Sequence, residues 1–415
     1  MLPNPVNFSD PGVRVVRAAW VADGAGRVFA PGAVVLRGAE VVAVGSPEAI
    51  GPVGGSAETV DLPAHGILPA LVNAHAHLDL TAVRSVGDPL DFDAWLAGVR
   101  AARGSMDAGA VARSVKLGAQ RSVAGGVAAI GDIAGQHAPD ASFAACSDAG
   151  LVGCVFQEVF GMGPRLPLAL EVVAEASLRQ QGPAGQGLRR GLQPHAPYSS
   201  HRDVFEAALR SGLPVSTHLA ETADERRFLR DGEGPYRRLL ESLGLWEPGV
   251  VTGDAHPVDW MARRLSAAPA TRILCAHLND LDDRALGVLA ALPVDVAYCP
   301  RASEYFGHAG HRYREMRAAG INVCLGTDSA ICLDTPDRIS TLDDVRLLVR
   351  RDGVALGEAI AMAASCGARA LGLDAARWTL RPGPVAGVLA VPLGAHRGPQ
   401  EFGRTNSAPE WVARS

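Results

Sequence analysis

Residues 67–77 have the sequence ILPALVNAHAH, an apolar run that ends in two histidines two positions apart. The first eight residues, ILPALVNA (67–74), predict a short buried β-strand, because the run is apolar and has the length of a strand. Successive side chains of a strand point to opposite faces, so His75 and His77 share one face. Two imidazoles on one face can share a cation. The alternative for this motif alone is a pair of core or surface histidines.

Seven further apolar runs follow, each separated from the next by a helical pattern such as FDAWLAGVRAAR or RDVFEAALRS. These runs are VAAIGD (127–132), LVGCVFQE (151–158), GLQPHAP (191–197), LPVSTHL (213–219), RILCAHL (272–278), VDVAYCP (294–300) and INVCLGTD (321–328). Strands that alternate with helices form parallel βαβ units. Eight units over about 300 residues predict an α/β fold of the (β/α)8 TIM barrel class.

Strand-like alternation also occurs on both sides of this region, in VRVVRAAWV, AVVLRG and EVVAVG before it and in PVAGVLAVPL after it. These segments predict a small β-sandwich domain built from both chain ends, residues 1–67 plus 377–415. The barrel then spans residues 68–376. We expect residues 394–415 to form a weakly structured tail.

The carboxyl ends of the strands of such a barrel meet on one face, where active sites lie. Reactive side chains stand at five of the predicted strand ends: His75 and His77, His195, His218 with Glu221, His277, and Asp328. Neutral imidazole and carboxylate suit zinc, with iron and manganese as alternatives. Three histidines and one aspartate leave one coordination position for water, as a catalytic site requires. The sequence therefore predicts a divalent metal in the barrel mouth.

Four motifs in this order, LPALVNAHAHLDLT, THLAET, AHLND and LGTDSA, resemble those of the amidohydrolase superfamily, in particular its cytosolic deaminase and chlorohydrolase branch. The resemblance covers nearly the whole chain. It implies that the metal ligands are His75, His77, His218 and Asp328, with Asp328 also counted among the catalytic groups. It implies that Glu221 carries protons and that His277 orients the attacking water and stabilises the intermediate. Alone, Glu221 could be an exposed acid near a helix start and His277 a core histidine.

The chain contains one lysine, Lys116, among its 39 basic residues. Two-metal members of the resembled superfamily use a carbamylated lysine at the end of strand four. This chain has PHAPYS (194–199) there, and Lys116 lies in the helix before strand two. The resemblance therefore implies a single metal.

Three segments carry candidate substrate contacts. PHAPYS resembles the strand-four motif of deaminases that act on adenosine-like compounds, which places His195 near the reacting centre; a helix-capping loop histidine is the alternative. In QEVFG, Glu158 could bind ribose hydroxyls or a ring N–H, or pair with an arginine. DFDAWLAGVRAAR resembles the first-loop helix of the family, in which Trp95 lines the pocket; a core tryptophan is the alternative.

The segment CPRASEYFG supplies two more candidates, Arg301 and Ser303. Arg301 could pair with a substrate carboxylate in a bidentate manner or tie down its own loop. The following GHAGHRYREM places His308 and His311 near the mouth, as substrate contacts, as ligands of an adventitious second metal or as exposed loop histidines.

The leading hypothesis is hydrolytic deamination of an aminated purine-like ring with release of ammonia. Within the branch, the motifs most resemble the aminodeoxyfutalosine deaminases. A hydrolase of another leaving group, a chlorohydrolase or a cyclic amidase, is the second hypothesis. A non-catalytic metal-binding barrel is the third, and it predicts a missing ligand or acid.

Composition limits the partners and the location. The net charge of −5 argues against nucleic acid, so a small-molecule substrate is expected. No apolar run reaches the ~18 residues of a membrane helix. Seven cysteines without a C-x-x-C pair indicate reduced thiols and a cytoplasmic protein. Because dimers are common in the resembled branch, a homodimer is a possible assembly.

Overall fold

The structure is a computed structural model. It describes residues 12–53, 57–84, 86–135, 138–178, 187–268 and 271–414, without the side chains of residues 92 and 93. The strands in the described residues are β1 Val13–Ala22, β2 Val28–Phe29, β3 Gly32–Arg37, β4 Glu40–Gly45, β5 Glu58–Pro69, β6 Leu71–His77, β7 Val127–Ala134, β8 Val152–Val159, β9 Leu188–Pro194, β10 Val215–Leu219, β11 Ile273–His277, β12 Val294–Tyr298, β13 Asn322–Leu325, β14 Asp328–Ser329, β15 Gly383–Pro384, β16 Gly387–Pro392 and β17 Glu410–Arg414.

The α-helices in the same residues are α1 Pro47–Ile50, α2 Phe92–Ser105, α3 Ala108–Ala124, α4 Pro139–Asp148, α5 Leu166–Leu178, α6 Arg202–Arg210, α7 Ala223–Asp231, α8 Pro235–Ser242, α9 Pro257–Ser266, α10 Asp283–Leu289, α11 Pro300–Tyr305, α12 Tyr313–Ala318, α13 Thr341–Leu347, α14 Leu356–Ala363 and α15 Ser365–Ala370. None of the helices in this part of the chain is both long and apolar enough to cross a membrane.

Strands β6 to β14 form one sheet in the order β13-β12-β11-β10-β9-β8-β7-β6-β14, and its neighbouring pairs are parallel. The short strand β14 follows β13 after two residues and pairs with β6 at the other edge of the sheet. The sheet therefore closes on itself. With helices between its successive strands, it forms the predicted (β/α)8 barrel, so the predicted fold class is confirmed.

The closing seam differs from the prediction, which placed a single strand at 321–328. The chain changes neighbours between β13 and β14: the Gly326 N–H donates to the Tyr298 carbonyl (2.9 Å) and the Thr327 N–H donates to the His75 carbonyl (3.0 Å). β13 pairs with β12, whereas β14 pairs with β6. The interruption is therefore the point at which the last strand joins the first.

The predicted first strand, 67–74, is also divided. Residues 67–69 end β5 in the second sheet, and β6 begins at Leu71. The Ala70 N–H donates to the Gly387 carbonyl (2.9 Å), whereas the Leu71 N–H donates to the Gly126 carbonyl (2.9 Å). The apolar run thus serves both sheets, which explains why the sequence alone shows no break.

The second sheet is mixed and has the order β15-β4-β3-β1-β5-β16-β17, with β2 beside β1. It joins the first strands of the chain to the last, because β16 pairs antiparallel with β5. Its core contains Val16, Val34, Ile67 and Val388. The division into domains of residues 1–67 plus 377–415 and 68–376 stays a prediction.

The prediction of a weakly structured tail over residues 394–415 is wrong. A short 3-10 helix covers Pro399–Arg404, and β17 pairs with β16 at the edge of the second sheet. The indole N–H of Trp411 donates to the Val123 carbonyl (3.0 Å) in α3. The tail is ordered by these contacts with distant segments, which its own composition does not reveal.

Helix α2 carries residues from the loop after β6 over the barrel mouth. It begins after Asp91, whose carboxylate accepts a hydrogen bond from the Ala94 N–H (3.1 Å). Trp95, Val99 and Arg103 follow at one-turn intervals and line the cavity at the mouth.

Candidate active site

Side chains from four strands of the barrel converge at its carboxyl end. His75 and His77 come from β6, His218 from β10, His277 from β11 and Asp328 from β14, and all five are buried. The ring centre of His75 lies 5.1 Å from that of His77, 5.0 Å from that of His218 and 5.4 Å from that of His277. The structure thus brings together the predicted set of strand-end histidines.

These residues could hold a metal ion. Among the described residues, three groups have ligand atoms within 4.8 Å of one another. They are His75 with His218 and His277, His75 with His77 and Asp328, and Glu221 with His277 and Asp328. The His77 Nε2 lies 3.4 Å from the His218 Nε2 and 3.6 Å from an Asp328 oxygen.

His75 provides the test of whether these residues fit a cation. It is fully buried, and neither of its ring nitrogens forms a hydrogen bond within the described part of the chain. A buried polar atom without a partner is costly, so a native protein rarely retains one without a reason. A cation bound by the imidazole would give one of the two ring nitrogens a partner. The histidine and carboxylate donors around it fit a divalent metal.

Electrostatics favours the ligand form of the histidines. Burial lowers the pKa of His75, His77 and His218 well below the usual range, and the neighbouring imidazoles lower it further. The rings are therefore neutral and keep a lone pair for a cation. Burial raises the pKa of Asp328 to about 6, although His277 lowers it.

Glu221 lies beside this cluster, with one carboxylate oxygen 3.7 Å from the His277 Nε2. Burial raises the pKa of the Glu221 carboxyl to about 8, so the group can gain or lose a proton near neutral pH. Its backbone N–H donates to the Glu225 carboxylate (3.1 Å) in the first turn of α7, which anchors the turn after β10.

Backbone strain is concentrated at this site. Within the described residues, the non-glycine residues with positive φ are Ala220 (49°), His277 (74°), Leu278 (59°) and Asp328 (59°). Each such residue costs on the order of 1–3 kcal/mol and persists only where its surroundings hold it. All four adjoin or belong to the candidate site, so this backbone is shaped for the site and not for stability.

Glu158 and His195 lie together at one wall of the cavity. One oxygen of Glu158 accepts a hydrogen bond from Arg103 (2.9 Å), while the other is buried without a partner in the described residues, 3.8 Å from the His195 Nε2. The His195 Nδ1 lies 2.6 Å from the Ser199 hydroxyl, which orients the ring. Burial raises the pKa of Glu158 to about 7, against the lowering effect of Arg103, and lowers that of His195 to about 3.

Arg103 and Asp79 are site residues that the sequence reasoning missed. The Arg103 Nε lies 3.0 Å from an Asp79 oxygen, and a terminal nitrogen lies 3.4 Å from the His77 Nδ1. Burial lowers the pKa of Arg103, but Asp79 and Glu158 outweigh this effect and raise it overall. The available signals were the acid two positions after His77 and the arginine two helical turns after Trp95.

The remaining candidates differ in position. Trp95 lines the cavity and packs edge-to-face on Phe306 (4.8 Å between ring centres). Ser303 donates to the Asn279 side-chain oxygen (2.8 Å), and Asn279 donates to the Glu221 carbonyl (3.2 Å). Ser303 therefore contacts the site only through Asn279.

Arg301 is not brought to this cavity. Its guanidinium donates to the Asp344 carboxylate (3.0 Å) in α13 and to the carbonyl of Ser340 (2.9 Å), which precedes that helix. These contacts match the alternative in which Arg301 ties down its own loop.

The cavity has two connected parts. The inner part lies over the histidines and is lined by Glu221, His277 and Asp328, among others. The outer part has a volume of about 270 Å³ and is mainly apolar. Both parts share Leu96, Val99, Arg103, Glu158, His195 and Tyr198. The outer part also contains Phe160, Met162, Leu239, Leu240, Leu243, Leu245, Arg100 and Arg165. A substrate could place its reacting ring inside and an apolar substituent outside.

The chain is similar to known proteins over most of its length. Residues 67–390 match the model of the amidohydrolase family. The chain is 27% identical over 379 residues to a 5-methylthioadenosine/S-adenosylhomocysteine deaminase of Symbiobacterium thermophilum, covering 88% of this chain and 81% of the relative. It is 30% identical over 329 residues to an aminodeoxyfutalosine deaminase of Deinococcus radiodurans, covering 75% of each.

Among solved structures, an adenosine deaminase of Xanthomonas campestris with bound zinc superposes with a TM-score of 0.70 at 20% identity. The superposition covers 98% of this chain and 93% of that one. At this identity the likeness shows the fold alone, a barrel with an attached sheet.

Proposed function

Because the chain belongs to the amidohydrolase family, we propose that it is a metal-dependent hydrolytic deaminase. Its substrate is an aminated purine-like ring of the adenosine type, and its product is ammonia. The observation that carries this proposal is the buried Glu221 carboxyl beside His277 and the cluster of His75, His77 and Asp328. The names of both relatives, a 5-methylthioadenosine/S-adenosylhomocysteine deaminase and an aminodeoxyfutalosine deaminase, support it.

We assign the cation to His75, His77, His218 and Asp328. Zinc fits nitrogen and oxygen donors, with iron and manganese as alternatives, and the zinc in the Xanthomonas structure supports this choice. When bound, such a cation makes water acidic enough to supply hydroxide near neutral pH.

The side chains of this chain would move the protons. Glu221, with a pKa raised to about 8, accepts the proton of the attacking water and delivers it to the ring nitrogen next to the amine-bearing carbon. His277 donates a hydrogen bond to the oxygen as it bonds to that carbon. The proton of the newly added hydroxyl then passes to the amine, the C–N bond breaks with release of ammonia, and the oxygen remains on the ring carbon as a carbonyl.

The wall of the cavity would recognise the ring and the sugar. The free oxygen of Glu158 can accept a hydrogen bond from a ribose hydroxyl or a ring N–H, and Trp95 offers an aromatic edge. Arg100 and Arg165 line the outer part and form no ion pair with the described residues. Together with the apolar lining they favour a substituent that is apolar but ends in a negative charge, and aminodeoxyfutalosine is therefore one candidate.

An ammonia-release assay tests the proposal. Purified protein, loaded with zinc, would be incubated with adenosine, 5-methylthioadenosine, S-adenosylhomocysteine and aminodeoxyfutalosine. We expect ammonia from at least one of them. Ammonia from none, with hydrolysis of a chlorinated ring or a cyclic amide, would favour the second hypothesis. Metal binding without any turnover would favour the non-catalytic barrel.

Two attributes stay predictions. A cytoplasmic location is supported by free cysteines, with six of the seven buried. A homodimer awaits a measurement of mass in solution.

A further inference from the structure

The imidazole of His277 depends on an unusual backbone. His277 and Leu278 are consecutive non-glycine residues in the left-handed region, with φ of 74° and 59°. Because L-residues disfavour this conformation, contacts with other segments must hold it. On one side, the Leu278 N–H donates to the Leu219 carbonyl (3.0 Å) and the Asp280 N–H donates to the Ala220 carbonyl (2.9 Å).

A side chain holds the other side of this turn. The Nε2 of His311 lies 2.7 Å from the carbonyl oxygen of His277. The backbone N–H of Tyr313 points at the Nδ1 of the same ring (3.1 Å), so Nδ1 accepts and the ring proton resides on Nε2. His311 therefore donates to the His277 carbonyl as a neutral imidazole.

The ring of His311 is itself fixed. It stacks on Tyr298, the last residue of β12, with 3.7 Å between ring centres and an interplanar angle of 14°. The Tyr298 hydroxyl accepts a hydrogen bond from Arg351 (3.0 Å). The donor thus stacks on the last residue of the strand that neighbours β11, it is partly buried, and it does not line the cavity over the histidines.

We propose that His311 is a positioning residue for His277: its ring N–H holds the His277 carbonyl, and with it the left-handed turn that aims the His277 ring at Glu221. The proposal rests on the proposed function in so far as His277 acts in the reaction. Without this donor the carbonyl can rotate, and the His277 ring moves away from the Glu221 oxygen that now lies 3.7 Å away.

Three variants test the proposal in the zinc-loaded full chain. His311→Phe keeps an aromatic ring on Tyr298 but removes the donor, and we expect kcat to fall about 10- to 100-fold with KM nearly unchanged, because small displacements of a catalytic group have effects of this size. His311→Gln can place an N–H near the position of Nε2, and we expect it to recover most of kcat. Glu315→Gln removes the charge of an exposed side chain in α12, a few positions after His311, and it should retain the wild-type kcat.

Metal content by elemental analysis should be equal in all variants, which separates positioning from loss of the cation. Wild-type kcat in His311→Phe would overturn the proposal. So would a loss that His311→Gln does not recover, or an equal loss in Glu315→Gln.

A crystal structure of His311→Phe provides a readout that does not depend on turnover. We expect the φ of His277 to change and its ring to leave Glu221. An unchanged His277 would overturn the proposal even if the wild type is an active deaminase. Conversely, a wild type that deaminates nothing would contradict the proposed function, while the crystal structure would still decide the role of His311.

Discussion

Glu221, the proton carrier that we propose, shows how burial, with little help from neighbouring charges, raises the pKa of a carboxyl towards neutral pH. The residue is 7% exposed, and burial is the cause of the raised pKa of its carboxyl. A carboxyl that titrates near the working pH can both accept and donate a proton. The carboxylate of Glu158 lies under similar burial but is held by Arg103, which suits it to binding.

We predict that Glu221→Gln abolishes turnover, with kcat lower by about 10²- to 10⁴-fold, because the amide cannot carry a proton. The metal should remain, since the assigned ligands are unchanged. Ammonia release and elemental analysis measure the two effects. Glu233→Gln is the control, as Glu233 is exposed and pairs with Arg227 (2.8 Å). Turnover that survives in Glu221→Gln would contradict the assigned role.

The same carboxyl predicts a pH dependence of stability in the metal-free protein. The folded state holds the Glu221 proton up to about pH 8, whereas the unfolded chain releases it near the ordinary value of 4.5. This group therefore makes folding less favourable as the pH rises from 4.5 towards 8. We subtract the free energy of unfolding of the wild type from that of Glu221→Gln at each pH. This difference should be larger at pH 8.5 than at pH 5.5 by at least about 1 kcal/mol. Urea unfolding at both values, after removal of metal, measures the gain. An equal difference at the two values would contradict it.

For single residues, the sequence predicted which side chains lie together but not their backbone conformations. The histidines at the strand ends were predictable, because parallel strands place their carboxyl ends together. The left-handed conformations of His277 and Asp328 were not predictable, because neither residue type indicates a positive φ as glycine would. The partner of Arg301, Asp344, lies 43 positions along the chain, a separation at which no local pattern indicates pairing.

At the scale of the element, α2 is the segment that covers the reacting centre. Trp95 near its start packs on Phe306, and Arg103 near its end joins Asp79 to Glu158. The helix is thus held by an apolar contact at one end and by charge at the other. Its docking and the orientation of Glu158 depend on the same guanidinium.

We predict that Arg103→Gln lowers the free energy of unfolding by about 3 kcal/mol, because two buried carboxylates lose their cation. KM should rise, since Glu158 loses the bond that directs its free oxygen into the cavity. Urea unfolding and steady-state kinetics measure these effects. The matched control is Arg113→Gln on the exposed face of α3, which should change neither quantity. A stable variant with the wild-type KM would contradict the role given to Arg103.

Helix α2 was predictable as a helix, but its charged contacts were not. The apolar spacing and the Asp91 cap are local signals. The approach of Arg103 to Glu158, 55 positions away, depends on how the helix crosses the barrel mouth. The position of the helix over the barrel mouth cannot be predicted from local patterns in a single sequence.

For the whole molecule, the last strand, β17, connects the second sheet to the barrel through its side-chain contacts. Trp411 in β17 donates a hydrogen bond to the Val123 carbonyl in α3, and Arg414 donates to the Ala149 carbonyl beyond α4.

We predict that Trp411→Ala lowers the free energy of unfolding by about 2 kcal/mol. This is less than the 3–5 kcal/mol of a fully buried tryptophan, because the ring of Trp411 is half-buried. The kcat should not change, since β17 contributes no side chain to the cavity. Urea unfolding and ammonia release measure both.

Trp411→Phe is the control for this prediction. It keeps a ring on α3 but lacks the indole N–H, so it should lose less stability than Trp411→Ala. A loss of kcat in the folded Trp411→Ala variant would contradict the prediction that β17 affects stability but not the candidate site.

The alternation of strands and helices was sufficient to predict the barrel, because its eight units are local. The seam between β13, β14 and β6, and the order of the tail, were not predictable. The seam depends on the pairing of β14 with β6, and the tail on contacts such as that of Trp411 with Val123, 288 positions away.

The seam also determines when the site can come into existence. Asp328 pairs with Ala76, so β14 places its carboxylate beside the two histidines of β6. During synthesis, the first strand leaves the ribosome long before the last, and until they meet, the ligand set has no carboxylate. With the ligands proposed above, the carboxylate is therefore the last member to join the set. We expect a folding intermediate in which β14 is still unpaired to hold a metal ion less tightly than the completed barrel.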